Sequence, residues 1–170
     1  MVRNKIKFWR AIKLCIASTF LIYVAVVWSN LSHKNQLSIN NMSEEKTFAC
    51  VANCMDGRIQ NTVDSYMKEY YGVAYVDMVT EPGPNKILAE NKDKAIVENI
   101  KKRIEISVHH HGSQVVAIVG HFGCAGNPVS KEDQIAHLKE AKKTVESFGL
   151  GIKVILLWIG EGWQKAELVE

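Results

Sequence analysis

Two short stretches of the chain combine residue types that bind metal ions in proteins. Residues 47–58 contain an apolar run that ends in Cys54, followed by Asp56 and Arg58. Residues 119–124 contain His121 and, three positions later, Cys124. Thiolate and imidazole groups are ligands that suit zinc. We therefore expect Cys54, His121 and Cys124 to converge on one zinc ion (Zn2+) per chain.

Three protein ligands would leave one coordination position for water, as in catalytic zinc sites. Asp56 and Arg58 form the next layer, because a guanidinium keeps a neighbouring carboxylate ionised and can hold it bidentately. An ionised Asp56 can accept a hydrogen bond from zinc-bound water and orient it. Zinc brings the pKa of such water to about 7. Asp56 and Arg58 are therefore the candidate catalytic pair, acting on a small electrophilic carbon.

The same residues have structural interpretations that the sequence leaves open. Cys54 and Cys124 can instead form a disulfide, most readily if the domain lies outside the cytoplasm. Asp56 and Arg58 can form an ordinary salt bridge in a turn. Cys50 lies about 13 Å from Cys54 on an extended strand, beyond the reach of a disulfide. We therefore predict that Cys50 is a buried, small apolar residue.

Several other conspicuous side chains are assigned structural roles. The tract His109–His111 looks like a metal-binding motif, but it ends an amphipathic helix, where histidine suits the helix dipole. His137 lies on a helix without a partner in the sequence and is predicted to be at the surface. Trp158 and Trp163 are predicted to pack rather than to stack on a substrate.

Strand patterns alternate with helix patterns after residue 43. Strands are predicted over residues 48–53, 73–79, 114–120 and 152–159. Helices are predicted over residues 61–71 and 161–170. An apolar repeat predicts a third helix, which ends at Gly112, and a fourth begins at a capping box at 130–133 and ends at Gly149. Residues 81–85 are predicted to be a rigid loop. This alternation predicts an α/β fold with a mainly parallel sheet of about four strands flanked by helices, in which ligands bind beyond the carboxyl ends of the strands.

The net positive charge of the chain comes from its N-terminal part. Residues 1–41 hold six of the 21 Lys and Arg residues and no Asp or Glu. The other 15 basic residues face all 18 acidic ones, which gives residues 42–170 a formal charge of −3. A nucleic-acid-binding domain needs a basic face, so we expect no nucleic-acid partner.

Residues 1–43 have the layout of a membrane anchor or signal segment followed by a polar linker, and residues 44–170 form the predicted zinc domain. Basic residues precede an apolar run, Leu14–Trp28, and a polar stretch follows it. Positive charge before the run keeps the N-terminus inside, so we expect a single N-terminal apolar helix in the membrane and an extracytoplasmic domain. The alternatives are a cleaved signal, which gives a secreted protein, and a start at Met42, which gives a cytoplasmic one.

The paired motifs Cys54-Met-Asp-Gly-Arg58 and His121-Phe-Gly-Cys124 resemble those of the β-class carbonic anhydrases. The resemblance extends over about residues 47–163 and includes the order of strands and helices. It implies that Cys54, His121 and Cys124 bind zinc and that Asp56 and Arg58 are the catalytic dyad. It also implies reversible hydration of carbon dioxide to bicarbonate by a zinc-bound hydroxide, in a homodimer whose site lies near the subunit interface.

Two stretches depart from the family pattern. Glu81-Pro82-Gly83 replaces the usual Asn-Ala-Gly turn, and Ala125 separates Cys124 from the glycine that commonly follows it. These changes touch the pocket wall and the dimer contacts. Two alternative functions therefore stay open: hydrolysis of a related electrophile such as carbonyl sulfide or carbon disulfide, and a non-catalytic zinc module tethered to a membrane.

Overall fold

The computed structural model describes residues 47–170, which form an α/β fold with a five-stranded sheet in the order β2-β1-β3-β4-β5. The first four strands are parallel, and β5 is antiparallel to β4. The strands are β1 (Phe48–Cys54), β2 (Tyr75–Glu81), β3 (Val115–His121), β4 (Lys153–Ile159) and β5 (Ala166–Val169). The helices are α1 (Gln60–Tyr71), α2 (Pro84–Glu90), α3 (Lys94–His111) and α4 (Lys131–Glu146). The predicted mainly parallel sheet flanked by helices is thus confirmed.

Alternate side chains of the central strands feed two apolar layers, one on each face of the sheet. Helix α1 covers one face with Val63 and Met67. Helices α2, α3 and α4 cover the other, where Ile100 and Ile104 of α3 are fully buried. Strand β3 is buried along its whole length, as expected for a strand with helices on both faces. The sheet is therefore a rigid support for the residues that follow its strands.

Side-chain caps fix where the two long helices begin. The carboxylate of Asp93 accepts hydrogen bonds from the backbone N–H groups of Ala95 and Ile96, both at 3.1 Å, at the start of α3. The hydroxyl of Ser130 accepts one from the N–H of Asp133 at 3.1 Å at the start of α4. These bonds satisfy N–H groups that have no partner within the helix. The second confirms Ser130 as the predicted cap, although the carboxylate of Asp133 accepts from the Ser130 hydroxyl and not from its backbone N–H.

Two local predictions are wrong. Residues 161–170 do not form a helix; Ala166–Val169 form β5 instead. The reason is that β4 would otherwise present a row of unpaired backbone groups, and pairing satisfies more of them than a short terminal helix can. The loop predicted over residues 81–85 is also shorter, because α2 begins at Pro84, whose fixed φ angle suits the first turn of a helix.

The predicted N-terminal apolar helix and the predicted boundary at residue 43 lie outside the described residues. Among the helices of residues 47–170, none combines the length and the apolar character that a membrane span requires.

The two stretches that depart from the family pattern contact each other through their backbones. A Cβ atom on Gly83 would lie 2.6 Å from the carbonyl carbon of Gly126, and one on Gly126 would lie 2.3 Å from that of Pro82. Gly83 also has a left-handed backbone, with φ at 66°. Glycine is therefore required at both positions, and it brings the loop after β2 against the loop after Cys124.

Replacing Gly83 by alanine should destabilise the protein more than replacing Gly149, a matched control. Gly149 has the same left-handed conformation, with φ at 73°, but nothing lies within 4 Å of an added Cβ. Both variants should lose about 1–2 kcal/mol because of their backbone conformation. Gly83→Ala should lose a further ~1–3 kcal/mol from overpacking. Urea unfolding measures the difference, and equal free energies of unfolding for the two variants would show that the loops do not need this close approach.

Candidate metal centre

The predicted ligands meet at the carboxyl ends of β1 and β3. Cys54 is the last residue of β1, His121 is the last residue of β3, and Cys124 follows in the next loop. Their candidate ligand atoms all lie within 4.8 Å of one another, and the two Sγ atoms are 3.8 Å apart. All three residues are at least 96% buried. The fold thus groups side chains that are 70 positions apart in the sequence.

The distance between the sulfur atoms fits a shared metal ion. Two Zn–S bonds of about 2.3 Å at a tetrahedral angle place the sulfur atoms roughly 3.8 Å apart, which is the separation found here. A disulfide bond has an S–S distance of about 2.05 Å. Cys54 and Cys124 are free thiols in this structure, so the disulfide that the sequence left open is not formed.

His121 presents a nitrogen atom that lacks a partner. Its Nδ1 lies 3.0 Å from the carbonyl oxygen of Phe122, and because a carbonyl only accepts, Nδ1 carries the proton. Nε2 is then an unprotonated acceptor; it is buried and makes no hydrogen bond. Leaving a buried polar atom unsatisfied costs about 1–3 kcal/mol. A cation bound between Nε2 and the two sulfur atoms would remove this cost, so the residues fit a metal ion.

The two thiols differ in acidity because one donates a hydrogen bond to the other. The bond from Cys124 lowers the pKa of the Cys54 thiol to about 4, and the backbone of Gly83 contributes in the same direction. The same bond, with burial, raises the pKa of the Cys124 thiol. Cys54 is therefore a ready thiolate ligand, and a metal ion would have to displace the proton of Cys124.

Asp56 and Arg58 form a close ion pair beside the three ligands. Arg58 Nη2 lies 2.5 Å from one carboxylate oxygen of Asp56, and Nε lies 2.9 Å from the other. The backbone N–H of Arg58 donates a third bond at 3.0 Å. These bonds lower the pKa of Asp56 to about 2, so the carboxylate is ionised at neutral pH. Within residues 47–170 the group of converging metal-ligand atoms does not include Asp56, because Arg58 holds its carboxylate.

Gln134 of α4, which the sequence analysis missed, holds the backbone of His121. Its Nε2 donates to the carbonyl oxygens of His121 at 2.9 Å and Asn127 at 3.2 Å. Its Oε1 accepts from the N–H of His121 at 3.3 Å and from the side chain of Asn85 at 3.2 Å. The side chain of Gln134 thus bonds to both the N–H and the carbonyl of His121, as the backbone of a neighbouring strand would. Its position could have indicated this role, because Gln134 is a polar residue on the apolar face of α4.

Gln60 of α1 has a similar role at the other strand end. Its Nε2 donates to the carbonyl oxygen of Cys54 at 2.7 Å and to that of Asp56 at 2.8 Å. Its Oε1 accepts from the side chain of Asn53 at 3.1 Å. The turn between the zinc-ligand candidate and the acid is therefore fixed by one amide. No spacing in the sequence pointed to this residue.

The remaining conspicuous residues lie away from this centre. Cys50 is buried in the other apolar layer, and burial raises the pKa of its thiol to about 12. His111 contacts Asp77 at 2.7 Å, and His137 contacts Asn127 at 3.1 Å. Neither histidine belongs to a metal-ligand cluster within residues 47–170. These side chains therefore support the fold.

The fold and the grouped ligand atoms define an α/β protein with a candidate metal centre of two cysteines and one histidine. Residues 44–169 match the family model described as "Putative carbonic anhydrase". The match covers most of the chain, so the chain belongs to this family, and the resemblance seen in the motifs is confirmed. No curated protein matches the chain.

Similar solved structures are carbonic anhydrases of low sequence identity, and the first two below are described as β-carbonic anhydrases. Isoform I of Trichomonas vaginalis is 18% identical, with a TM-score of 0.47, over 84% of this chain and 96% of that one. A tetrameric enzyme of Sordaria macrospora is 12% identical, with a TM-score of 0.42, over 89% and 97%. The carbonic anhydrase of Streptococcus mutans is 13% identical, with a TM-score of 0.41, over 84% and 97%.

Replacing Gln134 by methionine should weaken zinc binding by about 10- to 100-fold, the usual effect of losing a group that orients a ligand. Methionine fills a similar volume but cannot hold the backbone of His121. The matched control is Gln114→Met, which removes an exposed amide that donates to the carbonyl of Gly112. Competition with a chromophoric chelator measures zinc affinity, and circular dichroism checks that both variants fold. Equal affinity in the two variants would contradict the role of Gln134.

Proposed function

We propose that the protein is a zinc-dependent carbonate dehydratase that interconverts carbon dioxide and bicarbonate. Cys54, His121 and Cys124 would hold one zinc ion per chain, and Asp56 and Arg58 would form the catalytic pair. The observation that carries the proposal is the unpartnered Nε2 of His121 next to two sulfur atoms at the separation of tetrahedral zinc ligands. Membership of the carbonic anhydrase family supports the choice of substrate.

A bound zinc ion would supply a Lewis acid that lowers the pKa of water to about 7 and so provides a nucleophile at neutral pH. The protein would supply the group that orients this nucleophile, which is the carboxylate of Asp56. Three N–H groups of Arg58 bond to the carboxylate of Asp56, and Nε reaches both of its oxygen atoms. These bonds hold the carboxylate in one orientation beside the candidate ligands. With its pKa at about 2, Asp56 acts as a fixed acceptor and does not store a proton near pH 7.

We also propose that the protein self-associates as a homodimer. Met55, Phe122 and Val129 are large apolar side chains that are 66%, 45% and 40% exposed. They lie close in sequence to the candidate ligands, and exposed apolar clusters are typical of protein contacts. For residues 1–43 we retain, as a proposal from the sequence alone, a membrane anchor that places the domain outside the cytoplasm.

Stopped-flow hydration of carbon dioxide by the purified full-length chain tests the proposed reaction. The zinc-loaded protein should accelerate hydration at roughly pH 6 to 9, the range in which zinc provides a nucleophile. Zinc-loaded protein that gives only the rate of the buffer would exclude carbon dioxide as the substrate. It would leave either a non-catalytic zinc module or hydrolysis of carbonyl sulfide or carbon disulfide, which the same instrument can compare.

Replacing Asp56 by asparagine should lower kcat/KM about 100-fold, because an amide cannot provide the charged acceptor that orients the nucleophile. Zinc content should not change, since Asp56 is not one of the grouped ligand atoms. The matched control is Asp64→Asn, which removes an exposed carboxylate paired with Lys68 on α1. If Asp56→Asn turns over carbon dioxide as fast as the control, Asp56 has no catalytic role.

A further inference from the structure

Trp163 has a backbone conformation that a bulky residue rarely adopts. It lies in the turn between β4 and β5 with φ at 55°, directly after Gly162, whose φ is 85°. The left-handed region is disfavoured for side chains with a Cβ, so other contacts must hold Trp163 there. Its N–H donates to the carbonyl of Gly160 at 3.2 Å, and its own carbonyl accepts from the hydroxyl of Thr62 at 2.6 Å. Strain of this kind often marks a residue with a functional position.

The indole of Trp163 shares an acceptor with the candidate ligand His121. Its Nε1–H donates to the carbonyl oxygen of Phe122 at 3.0 Å. The same oxygen accepts the proton of His121 Nδ1, also at 3.0 Å. Because the orientation of a ligating imidazole is set by the bond that its other nitrogen makes, whatever fixes the Phe122 carbonyl also fixes the direction of His121 Nε2.

The ring of Trp163 also lies under the arginine of the catalytic pair. The guanidinium carbon of Arg58 is 4.1 Å from the ring centre, within the range of a cation–π contact. Nη2 of Arg58 donates to the carbonyl of Gly123 at 3.3 Å as well as to Asp56. The side chain of Arg58 is 47% exposed, so solvent does not restrict its position, and the contact with the ring does.

We propose that Trp163 is a positioning residue that sets both halves of the site: its N–H orients His121 through Phe122, and its ring orients Asp56 through Arg58. The inference rests on the proposed function, since it assigns a role to Trp163 in that site. It explains why a strained tryptophan occupies a turn far along the chain from both motifs. It also gives β5 a function, because this strand fixes the chain that follows Trp163.

Two variants of the full-length chain separate the two contacts. Trp163→Phe keeps an aromatic ring under Arg58 but removes the N–H. It should weaken zinc binding about tenfold and shift the visible absorption bands of the cobalt-substituted protein, which report ligand geometry. Trp163→Leu removes the ring as well, and it should lower kcat about a further tenfold below Trp163→Phe. The matched control is Phe148→Leu, which removes a ring that faces Lys101 at 5.9 Å.

A readout of Arg58 that does not need activity completes the test. The Nε–H signal of Arg58 in the NMR spectrum, one of four arginine signals, is assigned by its loss in Arg58→Lys. It should be displaced by the ring current in the wild type and in Trp163→Phe. In Trp163→Leu it should lose that displacement and, because Arg58 is held less firmly, part of the shift that its bond to Asp56 causes.

The outcomes distinguish this inference from the proposed function. Wild-type zinc affinity and a wild-type cobalt spectrum in Trp163→Phe would overturn the His121 half. An unmoved Arg58 signal in Trp163→Leu would overturn the Arg58 half. If both variants only lower the stability of the zinc-stripped protein, as Phe148→Leu can, Trp163 is structural and the proposal fails. Wild-type protein that binds zinc without hydrating carbon dioxide refutes the proposed function alone, since the metal and NMR readouts still decide the role of Trp163.

Discussion

The parallel register between β1 and β3 is the constraint on which the candidate site depends. Ala52 pairs with Ile118, which places Cys54 level with Gly120 and next to His121. A shift of one residue would reverse the faces of every side chain in the strand and separate the ligands. Gly120 leaves room for the amides that hold His121, since a Cβ there would lie 3.2 Å from the side chains of Asn85 and Gln134 and would push them aside. The apolar layers fix this register, and the grouping of the candidate ligands follows from it.

Side-chain amides hold the backbone of two candidate ligands in place. Gln134 saturates the backbone at His121, and Gln60 does the same around Cys54. Buried amides with all their partners are rigid, because each lost bond leaves an unsatisfied polar group behind. Nε2 of His121 is one of three buried polar side-chain atoms without a hydrogen bond in residues 47–170, together with the Oδ1 atoms of Asn53 and Asn127. Of these three residues, only His121 belongs to the group of candidate metal ligands. An open acceptor beside two sulfur atoms is what a binding site for a cation requires.

The sequence predicted the parts of the site that are local, and missed those that depend on tertiary contacts. Cys54, His121 and Cys124 could be predicted to meet because apolar strands end at them and parallel strands share a carboxyl edge. The helix cap at Ser130 was equally local. Gln134 and Trp163 could not be assigned, since their partners belong to distant elements, and β5 depended on the free edge of β4. The departures at Glu81-Pro82 and Ala125 lie beside a close backbone contact between Gly83 and Gly126, which the sequence alone did not indicate.

The most direct test of the central claim is X-ray absorption at the zinc edge of the zinc-loaded full-length chain, together with the zinc content per chain. We expect one zinc ion with two sulfur atoms at about 2.3 Å, one imidazole nitrogen at about 2.0–2.1 Å and a light atom in the remaining position. A chain that takes up no zinc, or a shell of nitrogen and oxygen atoms without sulfur, would contradict it.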